Sequence, residues 1–255
     1  ELAHPVAVPA LLECLASPEE EIRSEALSAL GELISSEHLL LLLDALHQED
    51  VHLQLNVLIL LRKIHDAQSL PAVLSFFESE HPQLREAAVT TLRYLNQVKR
   101  CPPALLFLND PDNGVRRETA LTLGHLADEG IVALLSQALT SDPDWQVRRN
   151  AAKSLAIHAH SEAIPAVVSA LKDEHWQVRK FALLVLQKVH NEQCLPGLIE
   201  VLADEFSDVR KEAAIALGNL GNPNALNALQ QALDDPDRDV VIYSQRAIQK
   251  IQKRA

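Results

Sequence analysis

Arginine and lysine in fixed places, and a scatter of histidines, are where this sequence could do chemistry. Arg23, Arg85, Arg116, Arg148, Arg179 and Arg210 each follow an aliphatic residue and stand beside acidic turns. A guanidinium there can pair bidentately with a carboxylate. A second basic set, Arg117, Arg149, Lys180 and Lys211, lies one residue further on, with Lys153, Arg246, Arg62 and Arg93 at later places. Cations gathered on one face suit recognition of an acidic partner. His158, His160, His190 and Cys194 are of metal-ligating types. Trp145 and Trp176, the only tryptophans, occupy equivalent places 31 residues apart, and Trp is a frequent interface anchor.

These residues are organised by a repeat. Ile22, Leu53, Leu84, Val115, Val147, Val178, Val209 and Val240 recur at intervals of 31 or 32 residues. Four places after each comes mostly Ala, and eight places after comes Leu30, Leu61, Leu92, Leu123, Leu155, Leu186, Leu217 or Ile248. A fixed period of this size predicts a solenoid. Within a repeat, Ile164 to Leu171 reads as a first helix with Pro165 in its first turn; Pro9, Pro71, Pro102 and Pro196 hold the same place. Acidic turns such as Ser141 to Asp144 end it, and a second helix runs from about the aliphatic anchor to about twelve residues beyond. The expectation is an all-α, right-handed α-solenoid of eight helical hairpins, about 80 Å long at roughly 10 Å per layer. It forms one domain over 1–255, with repeats near 1–36, 37–68, 69–100, 101–129, 130–161, 162–192, 193–223 and 224–255.

Composition bounds the function. The chain is 47% hydrophobic but 4% aromatic, with a formal net charge of −12, which argues against wholesale binding to nucleic acid or anionic lipid. Its three cysteines, Cys14, Cys101 and Cys194, are widely spaced, so a reducing cytoplasm is expected and no disulfide framework. Apolar runs such as Leu39 to Leu43 are too short to span a bilayer, and nothing at the start reads as a signal peptide. Because the chain opens on Glu1 and has no Met, a preceding segment is expected.

Helix phase then separates core from surface. If the anchor and the places four, eight and eleven later face inward, the places two, six and nine later lie opposite, on the concave side. That side carries Arg117, Arg149, Lys180, Lys211, Lys153, Arg246, Arg62 and Arg93, with Glu86 the only acid among its twenty-four positions. Leu55, Ile59, Leu121 and Leu184 lie between the charges as apolar anchors. The helix from Leu53 to Leu61 is apolar nearly all round, so it is either covered or offered to a partner. The recurring arginines read as a ladder that fixes stacking. His158 stands in a core place, and no zinc spacing appears, so no metal is assigned. Trp145 and Trp176 belong at the turn edge, where they serve either a partner or the packing of neighbouring turns.

The pattern Asp-x-x-Val-Arg-x-x-Ala-x-x-x-Leu-Gly resembles a HEAT repeat of the short, regular type found in phycobilin lyases. Asp112 to Gly124 departs from it only at Thr119, Asp144 to Ala156 only at Ala156, and Phe206 to Gly218 only at Phe206. The resemblance covers essentially the whole chain. It implies a class that includes subunits attaching or isomerising bilins on phycobiliproteins, adaptors in phycobilisome breakdown and an iron–sulfur-linked member, but it supplies no catalytic residue to carry over. A comparison with deoxyhypusine hydroxylase, which ligates iron with His-Glu pairs early in second helices, fails: the corresponding pairs, Glu86-Ala87 and Arg117-Glu118 among them, contain no His. A DNA glycosylase on such a scaffold is disfavoured by the net charge and the lack of groove carboxylates. The reading reached is a non-enzymatic scaffold without cofactor that binds an acidic protein. The alternative is a bilin lyase or isomerase subunit, which would handle a bilin.

Overall fold

Proline opens five of the eight first helices, in the first turn where its missing N–H costs nothing. In a computed structural model that describes residues 7–95 and 97–254, the chain is all-helical among those residues. First helices are short: α1 (Val8–Cys14), α3 (Leu39–Ala45), α5 (Leu70–Ser75), the 3-10 helix Pro102–Asn109, α8 (Ile131–Ser141), α10 (Ile164–Ala170), α12 (Leu195–Val201) and α14 (Leu226–Gln231). Each turns into a longer partner: α2 (Glu20–Leu33), α4 (Val51–Ile64), α6 (Pro82–Tyr94), α7 (Asn113–Thr122), α9 (Trp145–His158), α11 (Trp176–Leu186), α13 (Ser207–Leu220) and α15 (Arg238–Gln252). Every second helix begins two residues before its aliphatic anchor, earlier than the repeat pattern predicts. In four of them an aspartate caps the early start: Asp50, Asp112, Asp144 and Asp237 accept backbone N–H groups of α4, α7, α9 and α15, so the first turn forms ahead of the anchor.

Packing divides the chain into two compact units, one reaching to Thr122 with Leu126–Asp128, the other Leu123–His125 with the chain from Glu129. Each is a stack of hairpins whose core is the repeating set. Seven anchors, from Leu53 to Val240, are at most 2% exposed, and Leu30, Leu61, Leu92, Leu123, Leu155, Leu186 and Leu217 are fully buried. Ile22 is the exception at 40%, in a hairpin with a neighbouring layer on one side only among the described residues. Ile248 in the last hairpin is half-buried for the same reason. Along α4, Leu53, Val57, Leu58, Leu60 and Leu61 are buried, so this apolar helix is mostly covered. No helix of the described residues is long and apolar enough to cross a membrane.

Polar ladders stitch the hairpins at both ends of the second helices. Arg85 donates to both oxygens of Asp110 in the next hairpin at 2.8 and 2.9 Å, and Arg148 does so to Asp173 at 2.7 and 3.1 Å. Arg179 reaches Asp204 at 2.6 and 2.8 Å, and Arg210 reaches Asp235 at 2.7 and 2.8 Å. The remaining nitrogen, Nη1, donates to carbonyls of the residue's own turn, as Arg179 does to Asp173 at 2.8 Å. Asp110, Asp173, Asp204 and Asp235 in turn accept the backbone N–H two residues on, which sets the turn. At the far end, Lys188 donates to the Ala156 carbonyl at 2.7 Å, Asn219 to Gln187 at 2.9 Å and Arg254 to Asn219 at 3.0 Å. Lys63 makes the equivalent bond to Gly31. Cations and amides placed there satisfy carbonyls that helix ends leave open. Second helices also approach closely: a side-chain carbon on Gly218 would sit 2.9 Å from Ala247 Cα.

The first two joints lack a carboxylate rung. Gln48 stands where Asp173 or Asp204 stands elsewhere, so among the described residues Arg23 bonds only the Ser17 and Pro18 carbonyls, at 2.7 and 2.9 Å. In the second repeat Gln54 replaces the arginine and donates to the Gln48 carbonyl at 2.9 Å.

Two outcomes are expected in urea unfolding. Leu155→Ala should cost about 2 to 5 kcal/mol, since it empties a fully buried central position, whereas Ile248→Ala should cost less. A loss at Leu155 no larger than that of a surface substitution would contradict the assigned core. Arg210 holds the carboxyl of Asp235 below its ordinary range. A folded pKa below the unfolded one stabilises the fold above about pH 4, and that stability is lost as pH falls through the lowered value. Asp235→Asn should therefore lower stability near neutral pH by about 2 kcal/mol and make the acid loss shallower. An unchanged acid limb would show that the rung does not contribute.

Candidate functional site

In the first unit, the second helices α4, α6 and α7 form a cleft of about 470 Å³. Leu55, Arg62, Arg93, Glu86, Glu118, Thr90 and Tyr94 are among its lining. Arg93 donates to Glu118 at 3.0 Å, and Thr90 donates to the same carboxylate at 3.1 Å. Glu86 sits over Gly114, where a side-chain carbon would fall 2.6 Å from Oε2. Burial, with the charges of Glu118 and Asp112, pushes the Glu86 carboxyl up. Arg62 donates from Nε to Thr91 Oγ1 at 3.3 Å and from Nη2 to the Ala87 carbonyl at 3.4 Å. Ile59 is 40% exposed, while Arg117 and Leu121 on α7 are half-buried.

In the second unit the cations and tryptophans form one surface. Arg149 lies over the Trp145 ring at 5.4 Å from its centroid, and Lys180 over Trp176 at 5.8 Å. Each pair is four residues apart on a helix, so both members share a face. The rings are held from the other side as well: Trp145 stacks on His175 at 4.8 Å and Trp176 on Phe206 at 5.3 Å, each an aromatic of the next hairpin. Each tryptophan is thus the first residue of its second helix and packs over the neighbouring turn. Lys180 and Lys211 converge on Asp208 at 2.7 and 3.2 Å, and their bonds hold its carboxyl below the ordinary range. Arg149 donates to Asn150 Oδ1 at 3.1 and 2.9 Å. Lys153 is exposed, Leu184 half-buried, and Arg246 lies over Tyr243 at 5.0 Å.

Helix phase therefore places the cations on the second helices but misjudges their surroundings in two respects. The place nine residues after the anchor is the crossing point of successive second helices: Gly124, Ala156 and Gly218 are buried there, and Arg62 and Arg93 lean on the next helix. Acids also share the face from places the phase leaves out, Glu118 three residues after an anchor and Asp208 one before. The basic row is consequently interleaved with carboxylates. His175 and Phe206 were missed too, although both stand where Asp50, Asp112, Asp144 and Asp237 stand in other repeats.

The metal-ligating types stay apart. His158 Nε2 bonds the Leu123 carbonyl at 2.9 Å, His160 and His190 are exposed, and Cys194 is buried with its thiol pKa pushed up by burial. No group of three or more His, Cys, Asp or Glu side chains able to hold a metal occurs among the described residues.

Comparison with solved structures reveals the same architecture at low identity. An engineered protein is 22% identical with a TM-score of 0.65, over 97% of this chain and 79% of its own. YibA of E. coli is 19% identical with a TM-score of 0.58, over 93% of this chain and 98% of its own. A chain from the complex of Kap95p with RanGDP is 14% identical with a TM-score of 0.64, over 98% of this chain and 40% of its own. At these identities the likeness is one of fold. No curated protein matches in sequence. The family model described as HEAT repeats matches residues 8–93, 101–175 and 164–249, and with that coverage the chain belongs to the HEAT repeat family.

Proposed function

We propose that this chain is a non-enzymatic binding scaffold that docks an acidic protein on the second-helix face of its second unit. The observation that carries the reading is the pair of cations held over tryptophans, Arg149 on Trp145 and Lys180 on Trp176. A cation over an indole keeps its charge and orientation, and the ring beside it offers apolar area. Trp and Arg are also the residue types that dominate interface energetics. Arg149, Lys153, Lys180 and Lys211 outnumber the nearby Asp208 and Glu212, so an acidic surface would be steered here although the chain as a whole is acidic. Asp208 is 43% exposed, which lets an incoming carboxylate replace it as the partner of Lys180.

A bilin lyase or isomerase subunit, its chemistry completed by another chain, is the alternative that the repeat pattern of Asp112 to Gly124 supports. That resemblance also carries the proposed link to phycobilisomes or to iron–sulfur proteins. An absorption spectrum of the protein purified from its source separates the two readings. A tetrapyrrole band would favour the lyase; a colourless protein with one stoichiometric partner would favour the scaffold.

The scaffold reading is tested by reversing both cations, Arg149→Glu with Lys180→Glu, and comparing capture of the native partner with wild type. Binding should weaken by about tenfold or more at low salt, with slower association and a smaller salt dependence. Equal melting temperatures check that the fold is kept. A double variant that binds as tightly as wild type at low salt would rule this surface out.

A further inference from the structure

Arg62 is half-buried on α4, yet no carboxylate lies within ion-pair reach of it among the described residues. Arg85, Arg93, Arg148, Arg179 and Arg210 each donate to an Asp or Glu at 3.0 Å or less. Arg62 makes two long bonds to neutral oxygens, at 3.3 and 3.4 Å, and no ion pair among the described residues. The cause is one residue in the next repeat. Nine places after the anchor, a side chain reaches the third place of the following second helix: Arg93 finds Glu118 there, and Gln187 finds Glu212. For Arg62 that place is Ala87, which supplies only its carbonyl.

Burial opposes the charge of Arg62. A half-buried guanidinium whose hydrogen bonds go to neutral oxygens, with Glu118 and Glu86 acting only from a distance, favours a carboxylate that can bond it directly. The open space beside it is the cleft of about 470 Å³, with Leu55 and Tyr94 as apolar wall. Glu86 and Glu118 also line it, so a doubly charged guest meets about twice the repulsion that a single carboxylate does, and the single charge is the better match for Arg62.

We propose that this cleft receives one carboxylate on an apolar stem, the glutamate side chain of a partner segment, held by Arg62 as Glu118 is held by Arg93. The inference deepens the reading of an acidic partner but rests on different residues. It can therefore fail while the Arg149 and Lys180 surface survives its own test, and the reverse also holds.

The test uses the full chain and the side-chain Nε–Hε signals of its arginines in NMR. The probes are the capped peptide acetyl-Leu-Glu-Leu-amide, its glutamine counterpart, 4-phenylbutyrate and phenyl phosphate, at constant ionic strength. The glutamate peptide should shift the Arg62 signal saturably and at least about tenfold more tightly than the glutamine peptide or phenyl phosphate. If 4-phenylbutyrate binds more tightly than the peptide, the occupant is a free organic acid and the assignment to a partner's side chain is overturned. Arg62→Gln should abolish the peptide response. Ala87→Glu should do the same by supplying the missing carboxylate in cis, and Glu86→Gln, which keeps the cleft, should admit phenyl phosphate. No saturable shift of Arg62 with either carboxylate, or an equal response to the glutamine peptide, would overturn the proposal.

Discussion

The bidentate pair between an arginine at the start of one second helix and an aspartate in the next turn is the interaction on which the stacking depends. In the pairs from Arg85–Asp110 to Arg210–Asp235 neither side chain is more than 13% exposed, so water screens them weakly. Two charges withdrawn from water are tolerable only when hydrogen bonds satisfy them, and here they are satisfied from several sides. Asp173 shows the economy of the arrangement. Its carboxylate takes Arg148 of the preceding hairpin and the N–H of His175, while its carbonyl takes Arg179. One residue thus ends a first helix, opens a second and fixes the layer before it.

That rung also decides where the proposed binding surface lies. By holding each turn against the preceding second helix, it brings His175 onto Trp145 and Phe206 onto Trp176. The stacked rings in turn give Arg149 and Lys180 a fixed seat. Preorganised cations lose little freedom on binding, which is how a modest surface gains affinity. The first two joints, where Gln48 and Gln54 interrupt the ladder, depend instead on the leucines of α4 and on the bond from Lys63 to Gly31.

The repeat, its core and the ladder were all legible in the sequence, because each is written many times at the same spacing. Val147, Ala151 and Leu155 announce the buried stripe of α9, and the recurrence of Arg148 and Asp173 announces their pair. What was not legible depends on contacts between neighbouring repeats at places that do not recur. Helix phase treats each helix alone, so it could not reveal that the ninth place crosses the next helix, or that Glu118 and Asp208 would reach the cations. The vacancy beside Arg62 is invisible for the same reason: it arises from Ala87, one repeat away, in a place where only two other repeats reveal the pairing rule.

The most direct test of the account is a double-mutant cycle on Arg179 and Asp204 by urea unfolding. Truncating either to Ala leaves the other charge buried and should be strongly destabilising, while truncating both should cost much less than the sum. The predicted coupling is about 2 kcal/mol or more. A coupling within about 0.5 kcal/mol of zero, the behaviour of independent sites, would contradict the claim that these pairs hold the hairpins in register.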